Sequence, residues 1–494
     1  MAKRIPIWYR GSSSSDGDSQ VTTIYADFSF ALLLIEHMRQ SRIKIATPPP
    51  AHNLMKKILL GWFLLILAPA CFASNFFVRS GASGRNNGSD WNNAWNGWLS
   101  IRWGSGGVLP GDFVYVAGGA YTGTLLIGIS GGPGNVITIQ RVRSSDTTAT
   151  AAAGWNPIFD TTVVQSVPTG STGILFQNFQ NPVGSYVTID GRVASGWVIN
   201  YSNDSTGIGI SGVPVSNVTL RYINVVGPGK ISETGDTRAL DLTPESGGSL
   251  SNLVIQHCEA SGGDACVYLA AAQGVNNLLV EYSSFHDAGA VNAAQFHPNI
   301  VYCGKVTNST FRYNKFYNID VEGLFFNDPG NDSILIYGNL FYQGSTPPDT
   351  GRGIQFDTSS TGTNIKIYNN TFVALPQSGI LFTGVNHAGC NVENNIFWQT
   401  GIQSAPGVTH DYNFWSDSIA EPHGISNSRN PFVNSVVYNY NITANSGVIG
   451  KGLNLGMPFN IDPNGQQRGV GGWDIGAYTY AAGPAPPTNL RITP

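Results

Sequence analysis

The chain has 494 residues, with 60 Gly, 27 Pro, a formal charge of −4, and 41% hydrophobic, 11% aromatic and only 11% charged side chains. That excludes a disordered chain, which combines low hydrophobicity with high charge, a coiled coil, which is built largely of Ala, Glu, Lys, Leu and Arg, and collagen, which places Gly at every third position. A Gly/Asn/Ser/Thr-rich, β-branched and aromatic composition favours short strands joined by many turns.

Residues 1–54 contain four serines at 12–15, three prolines at 48–50 and one apolar patch at 28–35. They read as upstream sequence carrying no fold. Met55-Lys56-Lys57, the apolar run at 58–67 and the small residues through Ala73 form the three parts of a secretory signal. The run is shorter than the roughly 20 residues a membrane-spanning helix needs. The expectation is a signal at 55–73, cleavage after Ala73 and a secreted or cell-surface mature chain without a membrane span. The alternative is a genuine extension that makes 58–67 an internal anchor. Residues 1–73 hold 8 of the 26 basic and 4 of the 30 acidic side chains, which leaves the mature chain at −8. With no basic run left, nucleic acid is not an expected partner. A polyanionic substrate would need a local cationic site or a bridging metal.

Trp91, Trp95 and Trp98 follow at helix-like spacing and are expected to pack as a short helical cap, near 91–103, over the first coil. In the second half, segments ending in a polar-x-Phe element recur, closing on Phe285, Phe316, Phe341, Phe372 and Phe397, which are 31, 25, 31 and 25 residues apart. Between them runs a second element: Gly323-Leu324-Phe325-Phe326, Gly353-Ile354-Gln355-Phe356 and Gly379-Ile380-Leu381-Phe382. Both alternate with period two and are too short for helices. A short repeat of strands without intervening helices indicates a solenoid. Leucine-rich repeats lack support, since the leucine skeleton is missing, and propellers use longer units of about 40–50 residues. Asn314, Asn339, Asn370 and Asn395 fit an inward ladder at a tight turn, each amide bonding the coils on either side. Cys258, Cys266, Cys303 and Cys390 allow up to two disulfides, with buried free thiols the equal alternative.

These features resemble secreted right-handed parallel β-helix proteins of the pectate-lyase-like fold. The resemblance covers most of residues 75–480. It includes the opening Asn75-Phe76-Phe77-Val78-Arg79-Ser80-Gly81, the first-coil segment Pro110-Gly111-Asp112-Phe113-Val114-Tyr115-Val116, and the close Gly472-Trp473-Asp474-Ile475-Gly476-Ala477-Tyr478. It implies an all-β, single-stranded right-handed parallel β-helix over 74–480. The fold hosts lyases, hydrolases, epimerases, tailspikes and adhesins, so it does not fix the chemistry. Residues 481–494 read as a Pro-rich linker resembling the approach to a fibronectin type III module. The solenoid is expected to be a monomer.

In such a solenoid equal phase gives equal azimuth, and each coil adds about 4.8 Å. Alignment of the second element predicts an outward row of Asp241, Tyr268, Gln295, Phe325, Gln355 and Leu381. Two residues on, it predicts Thr243, Ala270, His297, Asn327, Asp357 and Thr383, with Asp328 at the next position and Glu322 beside Arg352 at the strand start. Asp241 and Asp357, four coils apart, are too distant to cooperate, whereas Asp328 and Asp357 on adjacent coils fall at roughly the 5–10 Å of glycosidase carboxylate pairs. The catalytic candidates are therefore His297, Asp328 and Asp357, with His297 as proton carrier. The substrate-binding candidates are Gln295, Asn327, Phe325, Arg352, Gln355 and Glu322, with Tyr268 and Phe325 offering flat faces to sugar rings. Against this, the run from Asn327 to Asp332 is also an ordinary turn sequence, and Glu322 with Arg352 also fits a solvated pair of little value. Clustered oxygens at Asp328, Asp332 and Asp357 would suit calcium, and no other cofactor is implied. No Lys stands beside an acidic cluster, so no lyase base is assigned. The function expected is binding, with cleavage by hydrolysis or elimination, of a polysaccharide in this groove. The alternative is a non-catalytic extracellular surface or adhesion solenoid.

Overall fold

The computed structural model describes residues 6–7, 24–25, 73–178, 184–212, 214–231, 237–244, 248–291, 298–344, 350–357, 362–384, 387–417 and 421–480. Two units separate, Met1–Phe72 and Ala73–Pro494. In the first, Pro6–Ile7 pairs antiparallel with Ile24–Tyr25.

In the second unit, strands of two to seven residues stack into three parallel sheets. Among the described residues, sheet 1 has 14 strands, from Asn75–Val78 to Val408–Asp411. Sheet 2 has 12, from Gly119–Thr122 to Ile425–Ser426, and sheet 3 has 10, from Leu125–Ile127 to Ile402–Gln403. One turn of the solenoid contributes a strand to each sheet in order, for example Thr310–Arg312, Lys315–Tyr317 and Glu322–Phe326.

The Phe spacing is the repeat of the core. Phe285, Phe316, Phe341, Phe372, Phe397 and Trp415 form one stack, with successive centroids 5.6, 4.7, 4.9, 5.1 and 4.3 Å apart. Phe326, Phe356 and Phe382 form a second, at 4.6 and 5.0 Å. The glycines at the second position of the sheet 3 strands make room for the first stack. A Cβ on Gly353 would lie 2.8 Å from the Phe372 ring, and one on Gly379 2.9 Å from that of Phe397.

The asparagine ladder forms as expected and runs further. The Asn339 amide Nδ2 donates to the Phe311 carbonyl at 2.8 Å and to Asn370 Oδ1 at 3.0 Å, while its Oδ1 accepts from the Asn314 backbone N–H at 2.9 Å. The same pattern continues through Asn370 and Asn395 to Asn413, only 18 residues on, and starts at the Ser283 backbone N–H, which donates to Asn314 Oδ1. The residue before each rung holds positive φ: Tyr282, Tyr313, Gly338, Asn369, Asn394 and Tyr412. This left-handed corner turns the chain from sheet 1 to sheet 2, and Asn and Gly tolerate it best.

Two expectations are settled differently. Trp95 and Trp98 do cap the first coil, Trp95 stacking on Phe76 at 4.9 Å and Trp98 on Tyr121 at 4.3 Å, whereas Trp91 packs in a separate cluster with Phe77 and Phe159. Regular helix in 91–103, however, is limited to one 3₁₀ turn, Trp98–Ser100. Asp90 draws the chain into a turn by accepting from the Asn93 backbone N–H at 2.8 Å, which overrides the helical spacing. A short α-helix instead occupies Thr147–Thr150. The four cysteines are free and buried, so the thiol alternative holds; burial raises each thiol pKa above its ordinary value.

The C-terminal segment folds back on the outside. The hairpin Phe432–Asn434 with Asn439–Ile442 packs with Leu340, Tyr342 and Val373 of sheet 2, while Phe459 and Trp473 cover Tyr313, Tyr337 and Tyr368 on sheet 1. Further along sheet 2, His286 stacks on Tyr317 at 4.3 Å, with Nδ1 at 2.5 Å from Asp287 Oδ2 and Nε2 at 3.1 Å from Glu259 Oε1. Burial alone would lower its pKa, but the hydrogen bonds to both carboxylates raise it to about 9. Its folded pKa exceeds the ordinary 6.5, so its stabilisation is complete below pH 6.5 and lost as pH rises through 9. His286→Gln is expected to cost about 1–2 kcal/mol at pH 6, allowing for solvent screening, and nothing at pH 10. Urea midpoints of both proteins across that range check it; equal gaps at both ends would refute the linkage.

Candidate functional site

Sheet 3 presents three outward columns. Its strands Arg238–Leu242, Ala265–Leu269, Asn299–Cys303, Glu322–Phe326, Arg352–Phe356 and Ser378–Phe382 bury Leu242, Leu269, Cys303, Phe326, Phe356 and Phe382 inward. Alternation then sets Asp241, Tyr268, Tyr302, Phe325, Gln355 and Leu381 outward in register. Arg238, Ala265, Asn299, Glu322, Arg352 and Ser378 form the strand-start column. Beyond the strands the backbone N–H groups of Asn327, Asp357 and Thr383 donate to Cys303, Phe326 and Phe356, which makes a third column.

The expected rows therefore stand for Tyr268, Phe325, Gln355, Asn327 and Asp357, and Glu322 does neighbour Arg352. One coil differs. Gln295 and His297 lie outside the described residues, and the strand of their coil is Asn299–Cys303, so Tyr302 holds the row expected for Gln295 and Gly304 the row expected for His297. Ile300, Val301 and Cys303 are buried in the core, and burial sets the register. The signal was present in the sequence, since Val301-Tyr302 repeats Val267-Tyr268. Sequence reasoning also missed Arg238, Asp264 and Asn299.

The aromatic residues do not offer open faces. Tyr268 is covered on one side by the Arg238 guanidinium at 3.7 Å and on the other by Tyr302 at 4.4 Å, and Phe325 is buried edge-on to Tyr302. Rings at equal phase in a solenoid stack on one another, and the stack consumes the faces a sugar would use. Arg238, Asp264, Ala265, Tyr268, Asn299, Tyr302 and Phe325 line a depression of about 260 Å³.

Charge is paired along the columns. Arg238 lies 3.0 Å from Asp241 and 3.5 Å from Asp264. Arg352 Nη1 donates to Glu322 Oε1 at 3.1 Å, and the Glu322 side chain is fully buried while that of Arg352 is 22% exposed. The pair is thus not the solvated one considered from sequence. Burial raises the Glu322 carboxyl pKa to about 8; Arg352 opposes the shift and Asp357 adds to it. A carboxyl whose folded pKa is raised favours the fold below its ordinary 4.5, and that contribution is lost as pH climbs from 4.5 through 8. Glu322→Gln keeps an acceptor for Arg352 and is expected to remove up to about 1.4 kcal/mol per pH unit of declining stability in that window. Denaturation series at pH 5 to 9 check it, and parallel curves for both proteins would refute it.

Asn327 Nδ2 donates to the Tyr302 hydroxyl at 2.9 Å and to Asp328 Oδ1 at 3.1 Å. The Tyr302 phenol pKa is raised to about 12, first by burial and then by Tyr268 and Asp328. Asp328 also serves its turn, its backbone carbonyl accepting from Asn331 Nδ2 at 2.7 Å while buried Asn331 Oδ1 accepts from the Val306 N–H at 2.8 Å. Asp332 goes elsewhere. It bridges Thr307 and Thr363 at the edge of sheet 1 and accepts from Thr363, Asn364 and Ser333. The suggested calcium set of Asp328, Asp332 and Asp357 therefore does not assemble. Among the described residues no three His, Cys, Asp or Glu side chains cluster as a metal site.

The family model described as "Right handed beta helix region" matches residues 239–409. No curated protein matches the sequence. Among solved structures, the pectate lyase Pel9A is similar at 13% identity over 83% of this chain and 96% of that one, with a TM-score of 0.46. The GH136 lacto-N-biosidase from Eubacterium ramulus is similar at 11% over 74% and 70%, with a TM-score of 0.47. A rhamnogalacturonan lyase is similar at 11% over 68% and 84%, with a TM-score of 0.37. At these identities the likeness is one of backbone path alone. Three stacked parallel sheets, a buried asparagine ladder and the matched repeat region identify the chain as a right-handed parallel β-helix protein.

Proposed function

We propose that this β-helix protein is exported and binds a polysaccharide along the outer face of sheet 3, cleaving its glycosidic bonds there. One observation carries the reading: ionisable and hydrogen-bonding side chains from six successive coils, Arg238 to Ser378, converge on that single face. Asp357 and Asp328 divide the acid and base or nucleophile roles. Asn327, Phe325, Arg352, Gln355 and Glu322 are assigned to shaping and lining the site. In this reading residues 1–54 are upstream sequence, 55–73 the export signal, 74–480 the working solenoid and 481–494 a linker. Among the described residues no helix is long and apolar enough to cross a membrane.

A polysaccharide panel tests the proposal by reading new reducing ends for hydrolysis and the ultraviolet absorbance of unsaturated uronates for elimination. Cleavage of at least one glycan is the expected result. Binding without new ends would replace the enzyme with a non-catalytic surface solenoid, and the absence of both would end the carbohydrate reading.

A further inference from the structure

The groove on sheet 3 is poor in available positive charge. Among the described residues, the outward columns and adjoining turns carry Arg238, Lys305 and Arg352 against Asp241, Asp264, Glu322, Asp328 and Asp357. Both arginines already face carboxylates, Arg238 those of Asp241 and Asp264, and Arg352 that of Glu322. Lys305 lies in the turn beyond its strand, its stem along Gly274 and Gly330. Even with Glu322 neutral, the acidic groups outnumber the basic ones, so the local field repels an anion. The mature chain at −8 adds to that repulsion.

The polar atoms without a partner point the same way. Arg352 Nε, Gln355 Oε1 and Ser378 Oγ are buried and without a hydrogen-bond partner among the described residues. They stand on adjacent coils, since Arg352 pairs with Ser378 in register and Gln355 lies three residues beyond Arg352 on the same strand. The Gln355 side chain belongs to the outward column and is 7% exposed. An unmet buried acceptor is costly, by about 1–3 kcal/mol, so the site is short of a donor. Arginine Nε can only donate, an amide oxygen can only accept, and a serine hydroxyl does both. A sugar hydroxyl answers all three, accepting from Arg352 and donating to Gln355. A carboxylate placed at this contact has no proton to give and would set acceptor against acceptor at Gln355, so the contact selects a hydroxyl and the charge of the groove disfavours the acid group.

We propose that this groove takes a neutral, hydroxyl-rich polysaccharide rather than a polyuronate, with Arg352, Gln355 and Ser378 as the subsite that reads its hydroxyls. The inference rests on the carbohydrate reading above and narrows its substrate class. A neutral chain would also bind with little dependence on salt, because screening weakens only charge-driven contacts.

The test is calorimetric binding of the full chain to neutral xylo-, manno- and gluco-oligosaccharides and to oligogalacturonate and oligoalginate, at low and high salt and with and without calcium chloride. At least one neutral series should bind, with affinity insensitive to salt, and Gln355→Ala should weaken it about ten- to hundredfold while circular dichroism is unchanged. Ser378→Ala, on the next coil, carries the same expectation and keeps the test decisive if Gln355→Ala does not fold. Tighter binding of either oligouronate than of every neutral glycan, with or without calcium, would overturn the inference and leave the carbohydrate reading intact. So would neutral-glycan affinity unchanged by both substitutions. Binding of no glycan in either class would instead remove the broader reading.

Discussion

Asn339→Ala is expected to destabilise the solenoid by about 3–5 kcal/mol, since it leaves several buried polar groups unmet at about 1–3 kcal/mol each. The Asn339 side chain joins three coils: it donates to Phe311 and Asn370 and accepts from the backbone N–H and the amide of Asn314. Alanine would strand the Asn314 N–H and the Phe311 carbonyl in a place water does not reach, because Asn339 itself is fully buried. The cost spreads along the axis, since each rung positions the next. Asn391→Ala supplies the contrast, because its amide donates to Thr409 Oγ1 at the surface; water replaces such a bond, and the loss should stay below about 1 kcal/mol. Urea unfolding at constant m-value separates the two. An Asn339→Ala cost no larger than that of Asn391→Ala would mean that the ladder accompanies the fold without holding it.

The ladder was legible in the sequence because it repeats. Phe285 to Phe397 and Asn314 to Asn395 recur at one phase, and a residue that stacks on its own copy leaves a period. The end of the ladder at Asn413 was not legible, since its coil is shortened to 18 residues and breaks the spacing. The same logic explains the site. Phe325, Gln355, Asn327 and Asp357 fell in place because the strands with glycine at their second position align unambiguously. The coil at 299–303 has Ile300 where the three coils after it have Gly323, Gly353 and Gly379, and the look-alike run ending at His297 slipped the register. What no alignment could give is side-chain depth. Glu322 and Arg352 read as a surface pair, and only packing shows the carboxyl fully buried and the Arg352 side chain largely covered. Nor does outward phase guarantee an open face: Tyr268 points out and is still covered on both sides.

Asp357→Asn is expected to lower turnover on a cleaved glycan by about 10²- to 10⁴-fold, the range a positioned acid or base contributes. The change conserves shape, and the backbone N–H of residue 357 keeps its bond to the Phe326 carbonyl, so the strand end should hold its place. What is lost is the charge. Asp357 helps keep the neighbouring Glu322 carboxyl protonated, so the substitution should also lower the Glu322 pKa. A bystander carboxylate would leave kcat unchanged while still shifting the Glu322 pKa, and KM should change little, because the hydroxyl-reading contacts at Gln355 and Ser378 remain. Asp328→Asn is the paired measurement. Its backbone carbonyl holds the turn to Asn331, and asparagine keeps a side-chain oxygen where the carboxylate accepts from Asn327, so the variant should fold normally. If both variants retain full kcat on an identified substrate, neither carboxylate acts on the bond. The reaction would then have to be sought among the other groups of the face, with Glu322 the first to examine because its burial already favours the protonated form.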